Sequence, residues 1–301
     1  MAIPDQNDHE DTGFVIAPDP TTGAGLTRSV NGIDHTGAEV SLSVIEERPL
    51  TIYLNSREIV TAMTIGDHPK YLALGFLINQ RMITRDDEVT GIDYDEDLDV
   101  VVVRTAVETN HEARLAKATR TSGCAVGTVF GDVMEGVSDV KLAPLTLQAS
   151  DLYALAHRIN TTPSLYLEAG AIHGTVLCQG GRPLVYMEDV GRHNAVDKIA
   201  GWMRLNDIGP DDKTLYTTGR LTSEMVIKTA LMGIPALVSR SGFTAWGVEI
   251  AREVGLTLIG HMRGKRFICL SGKERLNWDI DPNMVPDEPR KARRKSSGAE
   301  E

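Results

Sequence analysis

Cysteine is scarce in this chain: three in 301 residues, an odd count that cannot build a disulfide framework and that fits a reducing compartment. Basic residues are outnumbered, 31 against 42 acidic, and a formal charge of -11 argues against a general nucleic-acid partner or an anionic membrane surface. An anionic small molecule stays open, because a pocket can be locally basic on an acidic protein. No apolar run approaches the roughly 18 residues that a membrane span needs. The opening MAIPDQNDHEDTG is acidic and polar rather than a signal peptide, so a cytoplasmic protein with no membrane partner is expected. Also missing is any Cys-x-x-Cys, and position 175, after His173 and Gly174, is Thr175 rather than Glu. The ligands and acid/base carboxylate of a zinc deaminase are therefore lacking, and no catalytic zinc is expected.

What is present suffices for a core. A hydrophobic share of 42% suits one large or two modest domains. Residues 1–35, rich in Asp, Pro, Gly and Thr, and a charged tail over 273–301 read as disordered ends. Between them, a β-rich portion over 36–146 carries the strand-like stretches AEVSLSVIEE, LTIYLN, EIVTAMTI, EVTGIDY and DLDVVVVRT. It also holds a helix that starts near Asp67, a candidate cap, with Pro69 early in its first turn. A mobile loop is expected over 117–130. From 147 to 272 a helix capped by Ser150 precedes strands that alternate with helices of ten or so residues. That alternation predicts an α/β layer with a largely parallel sheet, in which Gly233 and Gly255 stop helices.

Ligands of an open parallel sheet bind beyond the carboxyl ends of its strands, and polar residues collect there. After LVYM come Arg192 and His193, after TLYT come Gly219 and Arg220, and after PALVS come Arg240 and Ser241. Helix-start amides plus a guanidinium fork make an anion site. A fourth basic group, Arg263-Gly264-Lys265-Arg266, lies in the last turn, and together these suggest a pyrophosphate-bearing ligand. One such turn alone is more often a structural cap. His193 and Asp197, four apart on one helix, lack a third metal ligand nearby. Cys178 and Cys269 sit in apolar strands and read as small buried hydrophobes. Cys124, in TRTSGCAVGTVFGDV, fits neither a strand nor a helix period, and among small residues it has nothing to bury it.

The segments EDVGRHNAVDKIAG, TGRLTSEMVIKTALMGIP, GVEIAREVGLTLIGHMRGKRF, ERPLTIYLN and YLALGFLINQRMI resemble the formate dehydrogenase accessory sulfurtransferase family, over roughly residues 40–272. The resemblance implies a sulfur carrier. Such a protein takes sulfur from a cysteine desulfurase as a persulfide and passes it to the molybdenum (or tungsten) bis-molybdopterin guanine dinucleotide cofactor, before insertion into apo formate dehydrogenase. It implies a cytidine-deaminase-like three-layer α/β domain with a smaller β-rich amino-terminal portion, and a homodimer. By position it makes Cys124 the persulfide cysteine and His261, Met262, Arg263, Gly264, Lys265 and Arg266 the cofactor-contacting stretch. Residue type allows Glu188 or Asp189 to read a guanine edge. The family loop commonly reads Cys-Gly-x-Cys-Gly, whereas here Cys124 is followed by Ala125, Val126 and Gly127. A relay between two loop thiols is thereby excluded, and a single-cysteine persulfide relay is not. Two other readings follow from the same residues: a cofactor-binding chaperone without sulfur transfer, and a deaminase-like nucleotide hydrolase, which the absent zinc ligands disfavour.

Overall fold

Alternation of apolar residues makes Arg48–Leu54 (β4) a half-buried strand in which Leu50, Ile52 and Leu54 are buried and the residues between them are partly exposed. The computed structural model describes residues 15–16, 25–84, 86–107, 137, 139–162 and 164–285. In it β4 pairs antiparallel with Arg57–Thr64 (β5) and parallel with Val100–Thr105 (β7), and Val89–Asp95 (β6) completes the sheet. Helix α1 (Pro69–Asn79) covers the apolar face through Leu72, Phe76 and Leu77. Proline at the helix start costs no hydrogen bond, because that amide has no intrahelical partner. The cap predicted at Asp67 does not form: His68, in the left-handed region at φ 47°, precedes the helix without a side-chain cap, and Asp67 pairs with Lys198 instead.

Thr27–Ile33 (β2) and Glu39–Ile45 (β3) form a separate antiparallel ribbon. Part of this ribbon falls inside the 1–35 segment for which disorder is expected. β2 is exposed on both faces, so no burial pattern betrays it, whereas β3 lies in the stretch AEVSLSVIEE read as a strand; the turn is set by Asp34, which accepts hydrogen bonds from the Thr36 and Ala38 amides.

The larger sheet has seven strands: Val15–Ile16 (β1), His173–Gln179 (β9), Arg182–Asp189 (β10), Lys213–Thr217 (β11), Ala236–Ser239 (β12), Thr257–Arg263 (β13) and Arg266–Ser271 (β14). Their order is β1-β10-β9-β11-β12-β13-β14. Pairing is parallel at β1·β10, β11·β12 and β12·β13 and antiparallel at the other three contacts. The sheet is mixed rather than largely parallel, because the short Gly180-Gly181 and Gly264-Lys265 links leave no chain for a crossover. Five strands still point the same way, so the ends of β10, β11, β12 and β13 share one edge with the start of β9.

Side chains alternate across this sheet. Leu177, Leu215, Leu237 and Leu258 pack under helices α4 (Arg192–Leu205), α5 (Ser223–Leu231) and α6 (Ala245–Glu253). Val176, Tyr216, Val238 and Ile259 face the opposite side, under α2 (Ala149–Thr161), which a short α3 (Leu165–Glu168) follows. Each fully buried aliphatic side chain contributes about 1.5–3 kcal/mol. Ser150 does not cap α2 but lies within its first turn. There Asp279 accepts bonds from both the Ser150 amide, at 3.0 Å, and the Ser150 hydroxyl. Asp279 and strand β15 (Leu276–Asn277), which pairs with β8 (Leu147–Gln148), belong to the stretch read as a tail. A cap supplied from 129 residues away has no local sequence signal.

Helices α1 and α4 join the two sheets. A Cβ on Gly75 would collide with the Asp197 backbone, and one on Gly201 with the Tyr71 backbone, so glycine on both helices permits the close crossing.

Candidate functional site

Three turns follow the parallel strands, and hydrogen bonds fasten them together. The Ser239 hydroxyl at the end of β12 donates to the Gly219 carbonyl at 2.6 Å and accepts from the Ser241 amide at 2.9 Å. The Leu221 amide donates to the Gly242 carbonyl, the Thr244 amide to the Leu221 carbonyl, and the His261 amide to the Ser241 carbonyl. Gly219 is buried against the Arg192 side chain, and Gly242 lies against the His261 ring. Arg192, Arg220, Arg240, Ser241 and His261 therefore occupy one continuous edge, as the strand-end reading of the sequence anticipates.

Electrostatics along this edge favour an anion. Burial, followed by the fields of Arg192, His193 and Arg220, pushes the His173 pKa down. His173 Nδ1 lies 3.3 Å from the Thr218 hydroxyl. Burial also pushes His193 down, against the pull of Glu224, whose carboxylate is 2.9 Å from His193 Nε2. His193 and Asp197 do not share a metal site, because Asp197 faces Lys228 Nζ at 2.7 Å and accepts from Asn79 Nδ2 at 2.7 Å. Arg220 is exposed, while Arg240 lies over the Tyr166 ring at 5.4 Å.

The carboxylates offered for reading a guanine edge are elsewhere. Glu188 is buried and accepts from the Leu165 and Tyr166 amides and the Tyr186 hydroxyl, at 2.8–2.9 Å. Burial pushes its pKa up. Asp189, equally buried, accepts from Thr64 Oγ1 at 2.5 Å, Asn194 Nδ2 at 3.0 Å and Lys198 Nζ at 2.7 Å. Burial opposes the charge of Lys198, but Asp189 and Asp67 outweigh it and raise its pKa. Asp189, through Thr64, ties the end of β10 to the small sheet and Glu188 ties it to α3, so partners within the protein take up both carboxylates.

The β13–β14 hairpin brings a second concentration of charge. Arg263 and Arg266 are cross-strand partners around the Gly264-Lys265 turn, where Gly264 has φ 55°. Both side chains are exposed, and like charges directly opposite one another across a ladder are destabilising. A register shift spans Gly260 to Arg263, and within it His261 has φ 53°, a conformation non-glycine residues rarely adopt. Met262 is buried in the core, so only its backbone belongs to the edge. A groove of about 650 Å³ opens here, lined by His261, Arg263, Lys265 and Arg266 and by the aromatic residues Tyr153, Phe267 and Trp278. Phe267 and Trp278 stack with centroids 5.6 Å apart and planes 6° from parallel, and Tyr153 abuts Phe267 at 5.9 Å.

The family model described as the FdhD/NarQ family matches residues 45–277. The chain belongs to that family. Among relatives of this FdhD/NarQ family member is the sulfur carrier protein FdhD of Wolinella succinogenes, 31% identical over 76% of this chain and 81% of that protein. The protein of the same name from Bacillus subtilis is 30% identical over 79% of this chain and 92% of its own length. A crystal structure of a formate dehydrogenase accessory protein from Desulfotalea psychrophila superposes with a TM-score of 0.68 at 28% identity, covering 83% of this chain and 98% of that one.

Cys124, Lys117 and Arg120 lie outside the described residues. The two described thiols are poorly placed for sulfur chemistry: burial pushes Cys178 far up, and it pushes half-buried Cys269 up as well. Residue pattern alone misses Glu224, Tyr166, Tyr153, Phe267 and Trp278. For Trp278 a signal exists, a lone tryptophan amid the polar ERLNWDID, but its place in a stretch read as tail hides it.

Proposed function

We propose that this chain is a sulfur carrier of formate dehydrogenase maturation that works in the cytoplasm as a homodimer. A cysteine desulfurase donates sulfur, and the molybdenum or tungsten bis-molybdopterin guanine dinucleotide cofactor is the acceptor, destined for apo formate dehydrogenase. The observation that carries this reading is the continuous basic edge from Arg192 through Arg220 and Arg240 to Arg266 on an acidic protein that belongs to the FdhD/NarQ family. Two pyrophosphates on the acceptor match several guanidinium forks and the amides of the strand-end turns. No helix among the described residues is long and apolar enough to cross a membrane. The three layers around a mixed sheet support a deaminase-like descent.

In this reading the Cys124 thiolate attacks the outer sulfur of the donor persulfide. A new sulfur–sulfur bond forms at Cys124 as the donor bond breaks, and the donor cysteine leaves as thiolate. An acceptor that supplies an electron pair to the outer sulfur forms the new bond to it as the sulfur–sulfur bond breaks, and Cys124 leaves as thiolate. Cys178 is buried and Cys269 half-buried, and burial pushes both thiols up, away from the thiolate that sulfur transfer needs, which supports assigning the chemistry to Cys124. Gly127, where the family commonly has a second cysteine, favours one alternative, a chaperone that holds the cofactor without passing sulfur. Complementation separates the two. In a bacterium lacking its own carrier, the wild-type chain restores formate dehydrogenase activity and Cys124→Ala does not. Restoration by both would leave the chaperone reading in its place.

A further inference from the structure

Leu42 sits in an alternation, AEVSLSV, that is the pattern of a strand with one covered face, yet it is 54% exposed. The register of the β2–β3 ribbon sorts its residues. Val30 lies directly opposite Leu42, with Val40 and Val44 on the same face, while Ser29, Asn31 and Ser41 occupy the other. Val30 is 43% exposed and Val40 and Val44 are half-buried, so no core covers the apolar face. Arg28, at the rim of that face, is paired with Glu46 at 3.0 Å. Among the described residues no other strand joins the ribbon. A two-stranded ribbon is marginal on its own in water, and a contiguous exposed aliphatic patch marks a surface that another chain covers.

Two observations identify the occupant. Seven residues on each strand, at about 3.4 Å per residue and about 5 Å between strands, give a face of roughly 250 Å², against about 800 Å² per partner in a stable assembly. The face therefore suits a partner that docks and leaves rather than a permanent second copy. The root of the ribbon also adjoins the basic edge. Leu26 and Ile45 pack into the cluster of Ile65, Leu165 and Ile172 that contains Tyr166 and Val190, and Tyr166 lies under Arg240. A protein that grips the ribbon thus sits beside whatever anion the arginines hold.

We propose that the Val30–Leu42 face of the β2–β3 ribbon is the docking surface for the enzyme that receives the cofactor, apo formate dehydrogenase. The proposal rests on the reading of this chain as a carrier in formate dehydrogenase maturation. A carboxylate at the centre of the face breaks the contact, because it would be desolvated against apolar surface without a partner.

Purified apo formate dehydrogenase serves as the probe, its binding measured on immobilised full-length wild type, Leu42→Glu and Asn31→Glu. Sulfur loading, mass in solution and thermal midpoint are followed for each. Leu42→Glu is expected to bind the apo enzyme about tenfold more weakly or worse, and Asn31→Glu, the same charge on the opposite face, to stay within about threefold of wild type, as the loss of a central apolar anchor predicts. Both variants should gain one sulfur atom from a cysteine desulfurase and keep the mass and midpoint of the wild type. Equal binding by the wild type and Leu42→Glu would overturn the proposal. So would a smaller mass in solution for Leu42→Glu, which identifies a second copy as the occupant, or a lowered midpoint, which identifies a segment of this chain. A wild type that gains sulfur yet binds no apo enzyme would sink the docking surface and leave the carrier reading standing, whereas one that does neither, with a competent donor, would sink both.

Discussion

Lys198 shows how a single residue ties the site to the rest of the chain. Its ammonium group is buried, pairs with Asp67 and Asp189, and donates to the Glu188 carbonyl at 2.9 Å. Removing one partner of a buried set leaves the others charged and unpaired, at a cost of about 3–5 kcal/mol. Lys198→Ala is therefore expected to lower the unfolding free energy by that amount in urea titrations. The histidines set a pH dependence. His68, His173 and His193 all have pKa values lowered by burial from the usual 6.5, so the unfolded chain takes up protons first as pH falls. Their stabilising contribution is complete above about pH 6.5 and is lost as pH drops through the folded values, by at most about 1.4 kcal/mol per pH unit for each histidine. Glu188, whose pKa is raised from 4.5, acts with the opposite sign at lower pH. Urea midpoints at pH 7.5 and pH 6.0 check this, with the lower midpoint expected at pH 6.0 and a smaller difference in His193→Gln. A flat profile over that interval would show that these rings are not buried neutral.

Elements whose signals are local were legible before the fold was known. Strands β9 to β14 and helices α4 to α6 fall where the alternation of apolar runs and helical spacing puts them, and Gly233 and Gly255 have φ 79° and 71°, the left-handed values of a helix stop. The arginines at strand ends were legible too, because they depend only on strand direction. What stayed hidden depends on partners far away in sequence. Asp67 looks like a cap until Lys198 claims it, Glu188 and Asp189 look available for a guanine edge until α3 and the end of β5 bond to them, and Ser150 takes its partner from Asp279. The α1–α4 crossing is another long-range feature, visible in the sequence only as two ordinary glycines. Gly75→Ala forces the helices apart and is expected to cost about 1–3 kcal/mol, as overpacking does, measured as a lower thermal midpoint. An unchanged midpoint would mean that the helices do not cross this closely.

At the scale of the whole molecule, a small β-sheet and a seven-stranded mixed sheet share the α1–α4 junction, which the Lys198–Asp67 ion pair and the Asn79–Asp197 hydrogen bond also cross. The sulfur-bearing residue of the proposal, Cys124, belongs to sequence that connects the two sheets, between β7 and β8. A thiol on the sequence between the two sheets suits the proposed carrier, which must meet a donor and an acceptor in turn. Intact-mass spectrometry after incubation with a cysteine desulfurase and cysteine tests this most directly, with the wild type beside Cys124→Ala and a competent donor confirmed in the same experiment. The account predicts a gain of one sulfur atom in the wild type, removed by a thiol reductant and absent from the variant. No gain in the wild type, or an equal gain in Cys124→Ala, would contradict it.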